Sequence, residues 1–150
     1  MNKLILIGSM IVLSCSNLQA KSLCLKTEKT LFTCETGKKV ISYCSQPNKF
    51  LEYRFGTPKR IELSYRVDAK KNSNNKINHV IMGNDMFFFE NKGYFYSLSI
   101  PMKGFPNLRV KKDQKIVGNL ECKTMGIWSG DSKFINEIDE DQIHSLDDIL

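Results

Sequence analysis

Four cysteines, Cys24, Cys34, Cys44 and Cys122, constrain this 150-residue chain more than any other feature. An even number in a small exported domain reads as two disulfides. Gaps of nine, nine and seventy-seven residues contain no C-x-x-C pair. The close pairs that zinc sites and thioredoxin-like centres use are therefore missing, and neither a metal nor redox catalysis is expected.

Export itself is read from the first twenty residues. Met1-Asn2-Lys3 is a short positive start, and Leu4 to Leu13 is an apolar run. A membrane-spanning helix needs roughly 20 apolar residues, so the run fits the core of a signal peptide, residues 1–20, cleaved after Leu18-Gln19-Ala20. Val12-Leu13-Ser14-Cys15 resembles a bacterial lipobox, which offers lipidation at Cys15 as the alternative. The first route puts the protein in the periplasm or outside the cell. The second makes it an outer-membrane lipoprotein anchored through Cys15. On either route Cys15 leaves the disulfide count.

The body reads as strands and turns. Two β-rich runs flank Thr36-Gly37, and a two-residue turn there sets Cys34 opposite Lys39 and Cys44 opposite Lys29. The two cysteines are then not cross-strand partners, and their bridges run to Cys24 and Cys122. Of the three connectivities, Cys24–Cys44 with Cys34–Cys122 is favoured. Phe50/Glu52/Arg54 alternate against Leu51/Tyr53/Phe55, and Ile61, Leu63, Tyr65 and Val67 share one face, the period of half-buried strands. Residues 68 to 78 are polar and unpatterned, a surface loop. His79 to Met82 starts a further strand. Met86–Glu90 pairs with Tyr94–Ile100 across Asn91-Lys92-Gly93, and Leu108–Val110 pairs with Ile116–Cys122 across Lys111–Lys115. Pro101 to Pro106 interrupts the pattern.

Beyond residue 127 the character changes. Asp139 can cap a helix, with Gln142 in the capping-box position, and Ile143, Leu146 and Ile149/Leu150 then share one face. The expectation is an all-β fold, an antiparallel sandwich or barrel of about eight to nine strands with a short C-terminal helix, stapled by disulfides. Its parts are a signal peptide (1–20), a β domain (21–127) and an acidic tail (128–150).

Charge follows the same division. Residues 21–127 hold 20 Lys/Arg against 9 Asp/Glu, whereas 128–150 hold one Lys against seven acids. A basic body attracts anionic partners such as lipopolysaccharide phosphates, and an acidic tail can fold back on it. No basic run is dense enough for a dedicated nucleic-acid patch.

Catalytic signatures are lacking. His79 and His144 are far apart and no H-E-x-x-H is present. Gly126-Ile127-Trp128-Ser129-Gly130 has the wrong spacing for a nucleophile elbow, and Ser73-Asn74-Asn75-Lys76 lies in the polar loop. Glu52 and Glu62 read as solvent-facing charges. The aromatics carry more information. Phe87, Phe88, Phe89, Tyr94, Phe95 and Tyr96 make both faces of one hairpin apolar, so it is either buried between layers or exposed to a partner. Tyr53-Arg54, Tyr65-Arg66, Tyr94 and Tyr96 form a candidate binding surface, because Tyr and Arg are common interface anchors.

Leu31-Phe32-Thr33-Cys34-Glu35-Thr36, then Lys38-Lys39 and Cys44, Tyr53-Arg54-Phe55-Gly56, Ile61-Glu62-Leu63, the Gly-Tyr-x-Tyr step at Gly93–Tyr96, and Cys122 resemble a family of small, exported, uncharacterised bacterial proteins. That family usually closes with a further cysteine, where this chain ends Asp147-Asp148-Ile149-Leu150. The resemblance implies no activity and no cofactor. The functional expectation is a non-catalytic envelope protein that binds another macromolecule, in its concrete form an inhibitor of a lysozyme-like enzyme. The alternative is a structural lipoprotein whose basic face contacts anionic lipid or lipopolysaccharide. Membrane contact is expected only if Cys15 is lipidated.

Overall fold

The computed structural model of the protein describes residues 21–69, 74–124, 126, 128 and 135–137. Cys15, the leader and the expected helix after Asp139 lie outside them.

Among the described residues, ten strands build two sheets: β1 Lys29–Glu35, β2 Val40–Gln46, β3 Phe50–Thr57, β4 Arg60–Asp68, β5 Ile77–Ile81, β6 Asn84–Asn91, β7 Tyr94–Pro101, β8 Asn107–Lys112, β9 Lys115–Glu121 and β10 Ile135–Glu137. The first sheet runs β1-β2-β3-β4, and the second β10-β5-β6-β7-β8-β9. The first nine strands pair antiparallel with their chain neighbours within each sheet, as the alternating sequence requires, and no helix occurs among the described residues.

Turn chemistry explains the tight meanders. Asn91 pairs with Tyr94, and Lys92 and Gly93 both have positive φ (53° and 74°), the conformation of a type I′ hairpin. Asp113 and Gln114 repeat it without glycine, at φ 48° and 63°. Between β2 and β3, Lys49 N–H donates to the Gln46 carbonyl at 2.9 Å with Asn48 at φ 60°, a type II turn with Pro47 in its favoured place.

The first hairpin differs from the sequence reading by a shifted turn. Its centre is Gly37-Lys38: Thr36 N–H donates to the Lys39 carbonyl, and Gly37 takes φ 87° at the first central position. Cys34 therefore faces Ile41 rather than Lys39. A bulge at Leu31 then sets Thr30, not Lys29, opposite Cys44. A two-residue turn begins where glycine's positive φ is usable, and the type II′ geometry wants that glycine first.

The two sheets face each other across one core. Ile41, Tyr43, Leu51, Tyr53 and Tyr65 of the first pack with Phe87, Phe89, Leu98 and Leu108 of the second. Tyr53 meets Phe89 at 5.0 Å between ring centroids, Tyr65 stacks on Phe89 at 4.3 Å, and Phe89 stacks on Tyr96 at 4.9 Å. The aromatic hairpin is thus buried, with Phe87 and Phe89 in this core. Phe88 lies on its opposite face, in a smaller cluster with Val80 and Met86.

Past residue 127, Trp128 and residues 135–137 are described, and both contact the sheets. Trp128 packs on Phe87 at 4.0 Å and edge-on to Tyr43 at 5.4 Å. Strand β10, which no alternation announces, joins the sheet edge parallel to β5.

Both disulfides are formed: Cys24–Cys44 across 20 residues and Cys34–Cys122 across 88. The first pins the N-terminal segment to β2. The second joins β1 to the chain just past β9 and so ties one sheet to the other, reinforced by Lys123 N–H donating to the Glu35 carbonyl at 2.6 Å. Two such bonds are compatible with an extracytoplasmic location.

Candidate functional site

Residues 21–28 are strapped across the outer face of the first sheet. Leu23 is buried there, and its N–H donates to Ser42 Oγ at 3.0 Å. Arg54, on the outward side of β3, holds the strap. Its Nη1 donates to the Leu23 carbonyl at 3.0 Å and to Glu28 Oε2 at 2.6 Å, while Nη2 donates to Glu28 Oε1 at 2.9 Å and Glu52 Oε2 at 2.7 Å. The fork geometry of guanidinium makes this bidentate clamp possible. Burial works against the Glu28 carboxylate, but hydrogen bonds from Arg54 and from Leu25 N–H, with the charges of Arg54 and Arg66, outweigh it. The Glu28 pKa is held below the ordinary carboxylate value. Its two carboxylate partners push the Arg54 pKa further up, against the opposing effect of burial.

This clamp decides the fate of the expected Tyr/Arg surface. Tyr53 and Tyr65 are buried in the inter-sheet core, and Arg54 is enclosed under the strap on the other face. Arg66 is more open, lying 3.7 Å over the Phe50 ring with Nε donating to Asp68 at 2.7 Å. Tyr96 packs against the core, and Tyr94 sits at the second sheet's far hairpin under Lys112, 4.9 Å from the ring centroid. The six residues are not brought together on one surface. Burial also pushes the phenols of Tyr43 and Tyr53 far up, and the Tyr53 hydroxyl is buried without a partner among the described residues.

Groups with chemical potential are otherwise engaged. His79 Nε2 and Asp85 Oδ1 are 2.8 Å apart, with the imidazole stacked on Phe87 at 4.5 Å; among the described residues no hydroxyl or thiol nucleophile joins that pair. Glu28 and Glu52 share the Arg54 guanidinium between them, and Glu62 pairs with Lys39. The Sγ atoms of Cys24 and Cys44 lie near the Glu28 carboxylate, but they are bonded to each other, and a disulfide is not the thiolate that metal binding requires.

Several large apolar side chains are exposed among the described residues. Register places the β5–β6 turn, the β7–β8 loop and the end of β9 at one end of the second sheet. There Ile81 is 63% exposed, Met102 84% and Phe105 47%, with Lys103 and Lys123 exposed beside them. A second feature is a groove of about 380 Å³ on the outer face of the first sheet, between the strap and the β3–β4 turn, with exposed Leu25 and Ile61 on its walls. Sequence reasoning passed over Met102 and Phe105 because they sit between Pro101 and Pro106, where no period exists. Their signal was compositional: large apolar residues in a turn-forming segment that has no strand to bury them.

No protein-family model matches the chain, nor does any curated protein or solved structure.

Proposed function

We propose that this chain is an exported, non-catalytic binding domain of the bacterial envelope. Its contact surface is the loop end of the second sheet, and its partner is an anionic amphiphile, the lipid or lipopolysaccharide of the envelope. The observation that carries the reading is Ile81, Met102 and Phe105 standing exposed together beside Lys103. Large flexible apolar side chains gain by entering an acyl boundary, and lysines gain next to phosphate. The surplus of cations over residues 21–127 adds long-range attraction. Glu28, Glu52 and Glu62 are each engaged in ion pairs that hold strap and strands together. Export through the signal peptide leaves the domain in the periplasm. Lipidation at Cys15 would instead tether it by the strap, six residues before Lys21.

The test is co-sedimentation of the oxidised chain 21–150 with phosphatidylglycerol vesicles and with lipopolysaccharide, beside neutral vesicles. We expect binding to the anionic surfaces that weakens as salt rises. The double substitution Met102→Ser/Phe105→Ser should cut it at least tenfold without moving the thermal midpoint. Equal binding to neutral vesicles, or an unchanged double variant, would contradict the reading. Inhibition of a lysozyme by the same preparation would favour the inhibitor reading instead, whose main support is the acid-rich stretch 128–150; the basic body would repel a basic lysozyme.

A further inference from the structure

The two disulfides stand in different surroundings. Cys34 and Cys122 are fully buried and belong to the inter-sheet core. Cys44 is fully buried too, but its partner Cys24 is only half-buried and lines the groove between the strap and the β3–β4 turn, beside Leu25, Arg54, Pro58 and Ile61. Thiol–disulfide exchange needs a path to one of the two sulfurs, and the groove offers one to Cys24–Cys44. The strap is also separable from the body. Among the described residues, the inter-sheet core contains no residue of 21–28. The contacts that hold the strap besides the disulfide include Leu23 N–H on Ser42 Oγ and the Arg54 clamp on the Leu23 carbonyl and Glu28. Such contacts are local, so losing the bond between them opens a segment and not the fold.

We infer that Cys24–Cys44 is a reducible latch: a dithiol enters the groove, attacks Cys24 and releases the strap while the two sheets stay closed on each other. In the first step the entering thiolate bonds to Cys24 Sγ. The Cys24–Cys44 bond breaks with its electron pair leaving on Cys44 Sγ, which takes a proton from solvent. The second thiolate of the same reductant then bonds to the first sulfur and displaces Cys24, which is protonated in turn. The dithiol ends as a disulfide and the two cysteines as thiols, with two protons passed between them by way of solvent. Cys34–Cys122, enclosed in the core, keeps the sheets joined throughout. The consequence is a segment, residues 21–28, whose attachment follows the thiol state of its surroundings, and whose release uncovers Leu23 and the outer face of the first sheet. This inference concerns the opposite sheet from the loop end and does not rest on the lipid reading.

The experiment exposes the oxidised chain 21–150 to dithiothreitol in native buffer, traps thiols by alkylation at intervals and quantifies each cysteine by mass spectrometry. Cys24 and Cys44 should be alkylated at least tenfold faster than Cys34 and Cys122. At that stage tryptic cleavage after Lys26 should rise several-fold, and the near-UV circular dichroism of the core aromatics should persist. All four cysteines reacting at one rate, Cys34 and Cys122 reacting first, unchanged cleavage at Lys26, or loss of the near-UV signal with the first bond would overturn the inference. Acid-quenched reaction with glutathione locates the attacked sulfur: an adduct on Cys24 is expected, and an adduct on Cys44 would contradict entry through the groove. Ile61→Trp, at an exposed position on the groove wall, should slow reduction of Cys24–Cys44 several-fold and leave Cys34–Cys122 as it was; an unchanged rate would also contradict that entry.

Discussion

Tyr53 and Arg54 are adjacent in sequence and do opposite work. Neighbouring residues of a strand point to opposite faces, so one side chain enters the inter-sheet core while the other meets the N-terminal strap. A Tyr-Arg pair on a strand therefore cannot be a single surface, and the period-two reading of Leu51/Tyr53/Phe55 already contained that answer. Because the Tyr53 hydroxyl is buried without a partner, Tyr53→Phe should stabilise the protein, by about 1 kcal/mol, read as a rise in the urea midpoint. Gly126 is tighter: a Cβ there would run into the Phe32 ring. Gly126→Ala should cost about 2 kcal/mol through overpacking, seen as a lower thermal midpoint. Glu28 sets the acid limb. Its pKa is lower folded than unfolded, so its contribution is complete above the unfolded value near 4.5 and is lost as pH falls through the lower folded value. Between about pH 5 and pH 3 the wild-type midpoint should fall more than that of Glu28→Gln, which should start lower at neutral pH. Parallel curves would remove this role for Glu28.

Hairpins were the elements most legible in the sequence, because glycine and the alternation of apolar residues act within a few positions. Asn91-Lys92-Gly93 specified its turn directly. Thr36-Gly37 left a one-residue ambiguity that only the preferred place of glycine in the turn settles, and the bulge at Leu31 has no sequence mark at all. Strand β10 escaped for a related reason. Three residues cannot show a period, and its pairing with β5 depends on contacts more than fifty residues distant. The strap was equally hidden, since Leu23 and Glu28 acquire their roles only when Cys24 is bonded to Cys44. The two staples act at different ranges. Chain-entropy arithmetic gives about 4.6 kcal/mol for the 88-residue closure and about 3.3 kcal/mol for the 20-residue one. Replacing Cys34 and Cys122 together by Ser should lower the denaturation midpoint more than replacing Cys24 and Cys44; the reverse order would mean that strap contacts outweigh loop closure.

At the scale of the whole molecule, the alternating runs and the even cysteine count pointed to an all-β fold with two disulfides, and two sheets around a shared core are what forms. The contact surface was less legible. Exposure of Ile81, Met102 and Phe105 depends on where the first sheet stops covering the second, which no local pattern records. The charge division along the chain was visible at once, because it is a property of composition. All of this rests on one arrangement: a strap bonded to the first sheet and the first sheet bonded to the second. Non-reducing tryptic mapping of the purified chain 21–150 tests it most directly, because Lys26, Lys29, Lys38 and Lys39 separate the first three cysteines. The account predicts two linked peptide pairs, Cys24 with Cys44 and Cys34 with Cys122, and no free thiol. Any other pairing of the four cysteines, or alkylation of any of them in the unreduced protein, would contradict it.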